Sequence, residues 1–221
     1  MTFLKDKDRQ AIQKRFEELK GNVRLLYFTQ ELECQYCKET GQLLNELAEL
    51  SDKIKLETYN FVNDKEVVKN YNIDKIPAIV VMDDNKDYGM RYFGIPSGYE
   101  FASLLESIEI VSTGTTQLSA ETIEKIRKVN TPVHLQIFVT PTCPYCPPAV
   151  LMGQALAYLN DNIKADMVEA TEFPELANKY NVRGVPRVVL NEDLHFEGAL
   201  PESAYVDQVL QAAEHSAVHQ N

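Results

Sequence analysis

No stretch of this chain approaches the roughly 18 consecutive apolar residues that a membrane span requires. The best run is Ile76 to Met82. Positive charge is scarce as well, with 22 Lys and Arg against 33 Asp and Glu and a net charge of −11. A surface of that sign repels phosphate backbones and anionic lipid, so neither nucleic acid nor a membrane is expected as a partner. The N-terminal residues Met1-Thr2-Phe3-Leu4-Lys5-Asp6-Lys7-Asp8 become charged before any apolar stretch develops. A secretory signal is therefore not expected, and a cytoplasmic location is. Cysteine is rare too: four in 221 residues, too few for a disulfide-stapled secreted fold. The remainder is 44% hydrophobic and 25% charged, an ordinary globular composition with room for one large domain or two smaller ones.

All four cysteines fall into two pairs of the same spacing, Cys34-Gln35-Tyr36-Cys37 and Cys143-Pro144-Tyr145-Cys146. Their first members lie 109 residues apart, and the offset holds well beyond them. It matches Leu47-Ala48 with Leu156-Ala157, Ile54-Lys55 with Ile163-Lys164, Tyr71-Asn72 with Tyr180-Asn181, and Pro77 with Pro186. From Cys34 to Pro77, 13 of 44 positions are identical without a gap, several times what chance supplies. Upstream the offset becomes 110 (Phe28 with Phe138), and downstream 104 (Gly94 with Gly198). The changes fall in connections, where length is tolerated. The chain reads as a tandem duplication.

Each copy has the same predicted order. An apolar strand (Val23 to Thr29; Val133 to Thr140) runs into the cysteine pair and a helix ending near Leu50 or Leu159. A second strand follows (Lys55 to Phe61; Ala165 to Ala170), then a short helix (Glu66 to Tyr71; Phe173 to Tyr180) and Pro77 or Pro186. The copy closes with strands at Ala78 to Met82 or Arg187 to Leu190 and at Arg91 to Gly94 or His195 to Gly198. A last helix covers Phe101 to Ile110 or Glu202 to Ser216. Additional helices precede the copies, Asp6 to Leu19 and Ser119 to Val129, and Ser112 to Thr116 reads as a linker. The expected class is α/β, with two units at residues 1–114 and 115–221, each a central mixed β-sheet flanked by helices.

A Cys-x-x-Cys pair opening a helix after a strand is a redox signature. Cysteines at i and i+3 in a first helical turn share a face and can close a small disulfide loop. Free N–H groups at the helix start stabilise a thiolate on the first cysteine, which attacks a disulfide, and the second cysteine resolves the mixed intermediate. The competing reading is one zinc site built from all four thiols in an interaction module, but zinc ribbons separate their pairs by about 15–20 residues. Under the repeat Glu57 coincides with Asp166 on the second strand. Two readings stand for this pair: a buried carboxylate with a raised pKa that accepts the resolving cysteine's proton, or a solvated charge at the strand end. The four histidines, His134, His195, His215 and His219, are not repeated and read as surface residues.

Cys143-Pro144-Tyr145-Cys146 and the distal Val185-Pro186 resemble glutaredoxin and thioredoxin domains. The order of the two motifs resembles the protein disulfide oxidoreductases (glutaredoxin-like proteins) of thermophilic archaea and bacteria, and the likeness covers essentially the whole chain. The resemblance implies two tandem thioredoxin-fold units: a thioredoxin-like one with Cys34–Cys37 and a thioredoxin/glutaredoxin-like one with Cys143–Cys146. It also implies dithiol–disulfide exchange on protein substrates, with reductase, oxidase and protein disulfide isomerase activity. The redox-active disulfides would serve in place of a bound cofactor or metal, and a thioredoxin reductase would donate electrons. By the same resemblance Pro77 and Pro186 are cis prolines beside the cysteines, with Ile76 and Val185 offering backbone groups to an extended substrate. Glutaredoxins hold glutathione with a Gly-Gly-x-Asp-like turn. Here Gly198-Ala199-Leu200-Pro201 follows instead, which favours protein dithiols over a glutathione-dependent glutaredoxin.

Overall fold

The apolar runs pair as strands, and the two copies follow one another in the order expected. The computed structural model describes residues 2–219. The first copy comprises α1 (Asp6–Phe16), β1 (Val23–Thr29), α2 (Cys37–Ala48), β2 (Ile54–Asn60), α3 (Lys65–Asn70), β3 (Ala78–Met82), β4 (Asp87–Phe93) and α4 (Glu100–Thr113). The second comprises α5 (Ala120–Arg127), β5 (Val133–Val139), α6 (Cys146–Leu159), β6 (Ile163–Glu169), α7 (Pro174–Lys179), β7 (Arg187–Leu190), β8 (Leu194–Glu197) and α8 (Glu202–His219). No helix among the described residues is long and apolar enough to cross a membrane.

The helices preceding each copy stop short of the expected Leu19 and Val129. Their last turns tighten into three-residue bonds, Leu19 N–H to Phe16 and Val129 N–H to Ile126, while both side chains stay buried. The expected linker begins later, because Ser112 and Thr113 still belong to α4. The Ser112 hydroxyl bonds the Gly21 carbonyl and accepts from the Lys20 N–H, and Gly114 closes the helix at φ 72°.

The eight strands form one sheet, in the order β2-β1-β3-β4-β6-β5-β7-β8. Within each copy the second strand pairs parallel to the first, and the two later strands pair antiparallel. The copies join through parallel β4 and β6, with Met90 to Phe93 in register with Ala165 to Val168. Either strand alone would leave an unpaired edge, and joining them satisfies both. The odd-numbered residues Val23, Leu25 and Tyr27 share a core with α2. In the second copy Leu135, Ile137 and Val139 do the same with α6. Phe28, Phe138 and Val168 face the opposite core under α3 and α7.

Glycines occupy the turns that need a positive φ. Gly94 and Gly198, matched by the repeat, have φ of 91° and 85° and donate to the carbonyls of Pro77 and Pro186. Gly98 marks where the copies touch: its φ is 60°, and a Cβ there would lie 2.1 Å from the Pro141 carbonyl oxygen of the other copy. No side chain fits without moving backbone. Gly98→Ala is expected to destabilise the protein by about 1–3 kcal/mol, read as a lowered Tm, because it combines strained φ with a backbone clash. An unchanged Tm would mean the contact is slack.

Candidate active site

Both cysteine pairs stand where a strand ends and a helix begins. Each is closed as a disulfide with Cα atoms 5.5 Å apart. The second cysteine is the first residue of its helix, and Tyr36 or Tyr145 is the N-cap. Cys34 and Cys143 thus lie in the preceding loop and not, as expected, inside the first helical turn. Neither helix has a side-chain cap, and α2 keeps its leading N–H groups, whereas in α6 Pro147 and Pro148 carry none and the Cys146 N–H donates to the Cys143 carbonyl. Cys37 and Cys146 are deeply buried. Cys34 is half-exposed, and Cys143 keeps a small exposed area.

The Ile76–Pro77 and Val185–Pro186 bonds are both cis. The Val185 carbonyl lies 3.7 Å from Cys143 Sγ, which brings the second proline turn to its cysteine. Pro77 holds the matching position in its own copy, where its carbonyl accepts from Gly94.

Glu57 and Asp166 do not fit the role of proton acceptor. Glu57 accepts from Arg24, 2.5 Å from Nε and 2.9 Å from Nη2, and that guanidinium holds its carboxyl below the usual range. Burial of Asp166 opposes its charge, but the His134 imidazole 2.6 Å away outweighs it and keeps the pKa low. Both residues are two positions from side chains of the opposite core, Tyr59 and Val168. They therefore project from the sheet face away from α2 and α6. His134, expected as a surface residue, keeps 42% of its side chain exposed and is also the partner of Asp166. The reading for His219 falls outside the described side chains.

The carboxyls that do approach neutrality lie elsewhere. Glu100, first residue of α4, is almost fully buried, and burial pushes its pKa up to about 7 against a single bond from the Ser103 hydroxyl. The preceding Tyr99 donates its N–H to the Pro141 carbonyl, which sets this helix start against the loop of Cys143. Glu172 follows β6 and accepts the Ile95 N–H at 2.6 Å. Burial carries it also to about 7, with Glu169 adding to the effect. Both flank the segment from Gly94 to Glu100 that runs between the two copies. The repeat hid them, because Glu172 matches Asn63 and Glu100 matches Ala204.

The centres differ. In the first, the Tyr27 hydroxyl bonds the Cys37 carbonyl and Thr29 Oγ1, and burial raises its pKa to about 12. Its counterpart in the second copy is Ile137. Glu39 lies in the first turn of α2 and has a buried oxygen without a hydrogen-bond partner, whereas α6 carries no charge in its first or last turn. The four thiols do not gather into the alternative zinc site. The pairs follow β1 and β5, separated by three intervening strands and on the order of 20 Å, against about 2.3 Å for a zinc–sulfur bond.

Two outcomes follow. A carboxyl carried from 4.5 to about 7 costs the ionised folded state on the order of 3 kcal/mol. The folded chain holds that proton more tightly than the unfolded one, so stability falls as pH rises between those values and stays reduced above them. Glu100→Gln should therefore raise Tm at about pH 8 and leave it nearly unchanged at about pH 4, as thermal melts will show. Second, Glu39 opposes a thiolate at Cys34, so Cys143 should have the lower pKa. Iodoacetamide alkylation against pH on single-centre variants reads this, and a Cys34 titrating at or below Cys143 reverses the ranking.

Comparison with known proteins places this geometry. A family profile described as thioredoxin domain matches residues 133–211. The crystal structure of a protein disulfide oxidoreductase from Aeropyrum pernix superposes with a TM-score of 0.91 at 29% identity, over 97% of this chain and 96% of that one. The alkylhydroperoxide reductase AhpF of Enterococcus faecalis superposes with a TM-score of 0.88 at 27% identity, over 94% of this chain and 100% of that one. Among curated relatives, an NADH dehydrogenase of Bacillus subtilis is 26% identical over 163 residues, which is 74% of this chain. The chain spans about 30% of the length of the curated relatives it matches. With its duplicated strand order and paired disulfides, the chain is a tandem thioredoxin-fold protein whose architecture matches the archaeal protein disulfide oxidoreductase and the matching chain of AhpF.

Proposed function

We propose that this protein is a protein thiol–disulfide oxidoreductase acting through Cys34–Cys37 and Cys143–Cys146. The observation that carries the reading is the disulfide set at an uncapped helix start, with the Val185 carbonyl 3.7 Å from Cys143 Sγ. The first cysteine of each pair is the more accessible, and the second is enclosed. In the reducing direction the thiolate of Cys34 or Cys143 attacks a substrate sulfur, forms a mixed disulfide and expels the substrate's other sulfur as thiolate. Cys37 or Cys146, deprotonated, then attacks the protein sulfur, restores the internal disulfide and releases the second substrate thiol. Oxidation runs the same steps backwards. Glu100 is buried at the helix start that Tyr99 ties to the Pro141 carbonyl, two residues before Cys143, and its pKa of about 7 suits it to hold a proton near that centre.

Ile76, Pro77, Val185 and Pro186 supply the edge on which an extended substrate lies, by backbone pairing. The halves divide at residues 1–114 and 115–221. Isomerase activity follows from the same chemistry when a mixed disulfide is attacked by a third substrate thiol. Protein dithiols are the substrates, a thioredoxin reductase is the donor, and the cytoplasm is the site of action. Insulin-disulfide reduction with Cys34→Ser and Cys143→Ser tests the reading. Each variant should lose its own centre's share, and the double variant should fall at least about 100-fold. Full activity in the double variant, or stoichiometric zinc in the purified protein, would overturn it.

A further inference from the structure

The two centres have a fixed relation. Following the pairings across the sheet, β1 is antiparallel to β3, β3 antiparallel to β4, and β4, β6 and β5 are mutually parallel. β1 and β5 therefore point the same way, and both cysteine pairs leave the same end of one sheet. Helices α2 and α6 pack into the same core, which places the pairs on the same face. Four strand spacings separate them, on the order of 20 Å.

Exposed apolar side chains concentrate at that end. Among the described residues five large ones are exposed, and four of them sit in loops that follow β1, β2, β4 and β5: Leu32 (78%), Val62 (55%), Tyr99 (53%) and Tyr145 (70%). Scattered exposed apolar residues need no explanation, but a set confined to the rim around two reactive centres marks a binding surface. Tyr99 lies on the segment between the centres and is tied to the Cys143 loop through Pro141.

We propose that a single unfolded polypeptide, extended and carrying apolar residues between two cysteines, engages both centres of one protein molecule at once. The proposal rests on the thiol–disulfide exchange reading above and specifies its substrate. An extended chain rises about 3.3 Å per residue, so about six residues or more must separate the cysteines. A folded substrate holds its cysteines at distances set by its own core and does not adapt to this span. Once one cysteine is held as a mixed disulfide, the other faces the second centre at a millimolar effective concentration.

The test uses the full chain with Cys37→Ala and Cys146→Ala, so that mixed disulfides at Cys34 and Cys143 persist. Synthetic peptides carry two cysteines, each capped as a disulfide with thionitrobenzoate, separated by about two or about ten residues. Each attack forms one protein–peptide disulfide and expels one coloured thionitrobenzoate anion, so absorbance counts events and intact mass counts peptides. The longer peptide is expected to give one peptide per protein with both anions released, the second on the order of 100-fold faster than the first at micromolar protein. The shorter should add one peptide per cysteine. A peptide with a single capped cysteine is the control. If it labels both centres while the longer peptide also adds twice at spacing-independent rates, bridging is wrong and exchange stands. If it labels neither centre, the exchange reading falls and bridging with it.

Discussion

The parallel pairing of β4 with β6 is the constraint on which the rest of the molecule depends. Each copy alone ends its sheet at an exposed strand, β4 in the first and β6 in the second. Hydrogen bonding between Met90–Phe93 and Ala165–Val168 turns two four-stranded sheets into one. Because the pairing is parallel, it also aligns the copies. Their first strands run in the same direction, their long helices lie on the same face, and both cysteine pairs emerge at one end. An antiparallel joint would have sent the centres to opposite ends with the same local structure in each copy.

That joint explains why the two cysteine pairs sit in unlike surroundings. Helix α6 is covered by the sheet on one side and crossed by α4, and Gly153 sits so close to β5 that a Cβ would lie 2.6 Å from Ile137 Cδ1. A helix enclosed in this way has little room for charge, and none occurs from Cys146 to Leu159. Helix α2 lies nearer the outside of the assembly and is amphipathic, with Lys38 and Glu39 in its first turn. Identical motifs on related helices thus meet different fields. The joint also encloses carboxyls: Glu100 is buried and Glu172 half-buried where the segment from Gly94 to Glu100 runs between copies, held by Glu172 at Ile95 and by Pro141 at Tyr99.

The misplacement of Glu57 and Asp166 has a simple cause. The repeat aligned them correctly, on equivalent strands at equivalent positions. A β-strand presents alternate residues to opposite faces, and the mixed polar and apolar residues of β2 and β6 give no sign of which face carries the helix that follows the cysteines. Both carboxylates fell on the far face, where Arg24 and His134 meet them.

By itself the sequence determined the duplication, the order of strands and helices in each copy, the two cysteine pairs and the matched prolines, including the equivalence of Gly94 with Gly198. These features are local or periodic: spacing along the chain carries them, and both copies repeat them. Tertiary structure alone decided that the two sheets are one, that both centres share an end and a face, and that Glu100 and Glu172 sit between them. Those features arise from contacts between residues far apart in the chain that have no counterpart in the other copy. A repeat reveals what two halves share, whereas the joint between them is formed by the residues in which they differ.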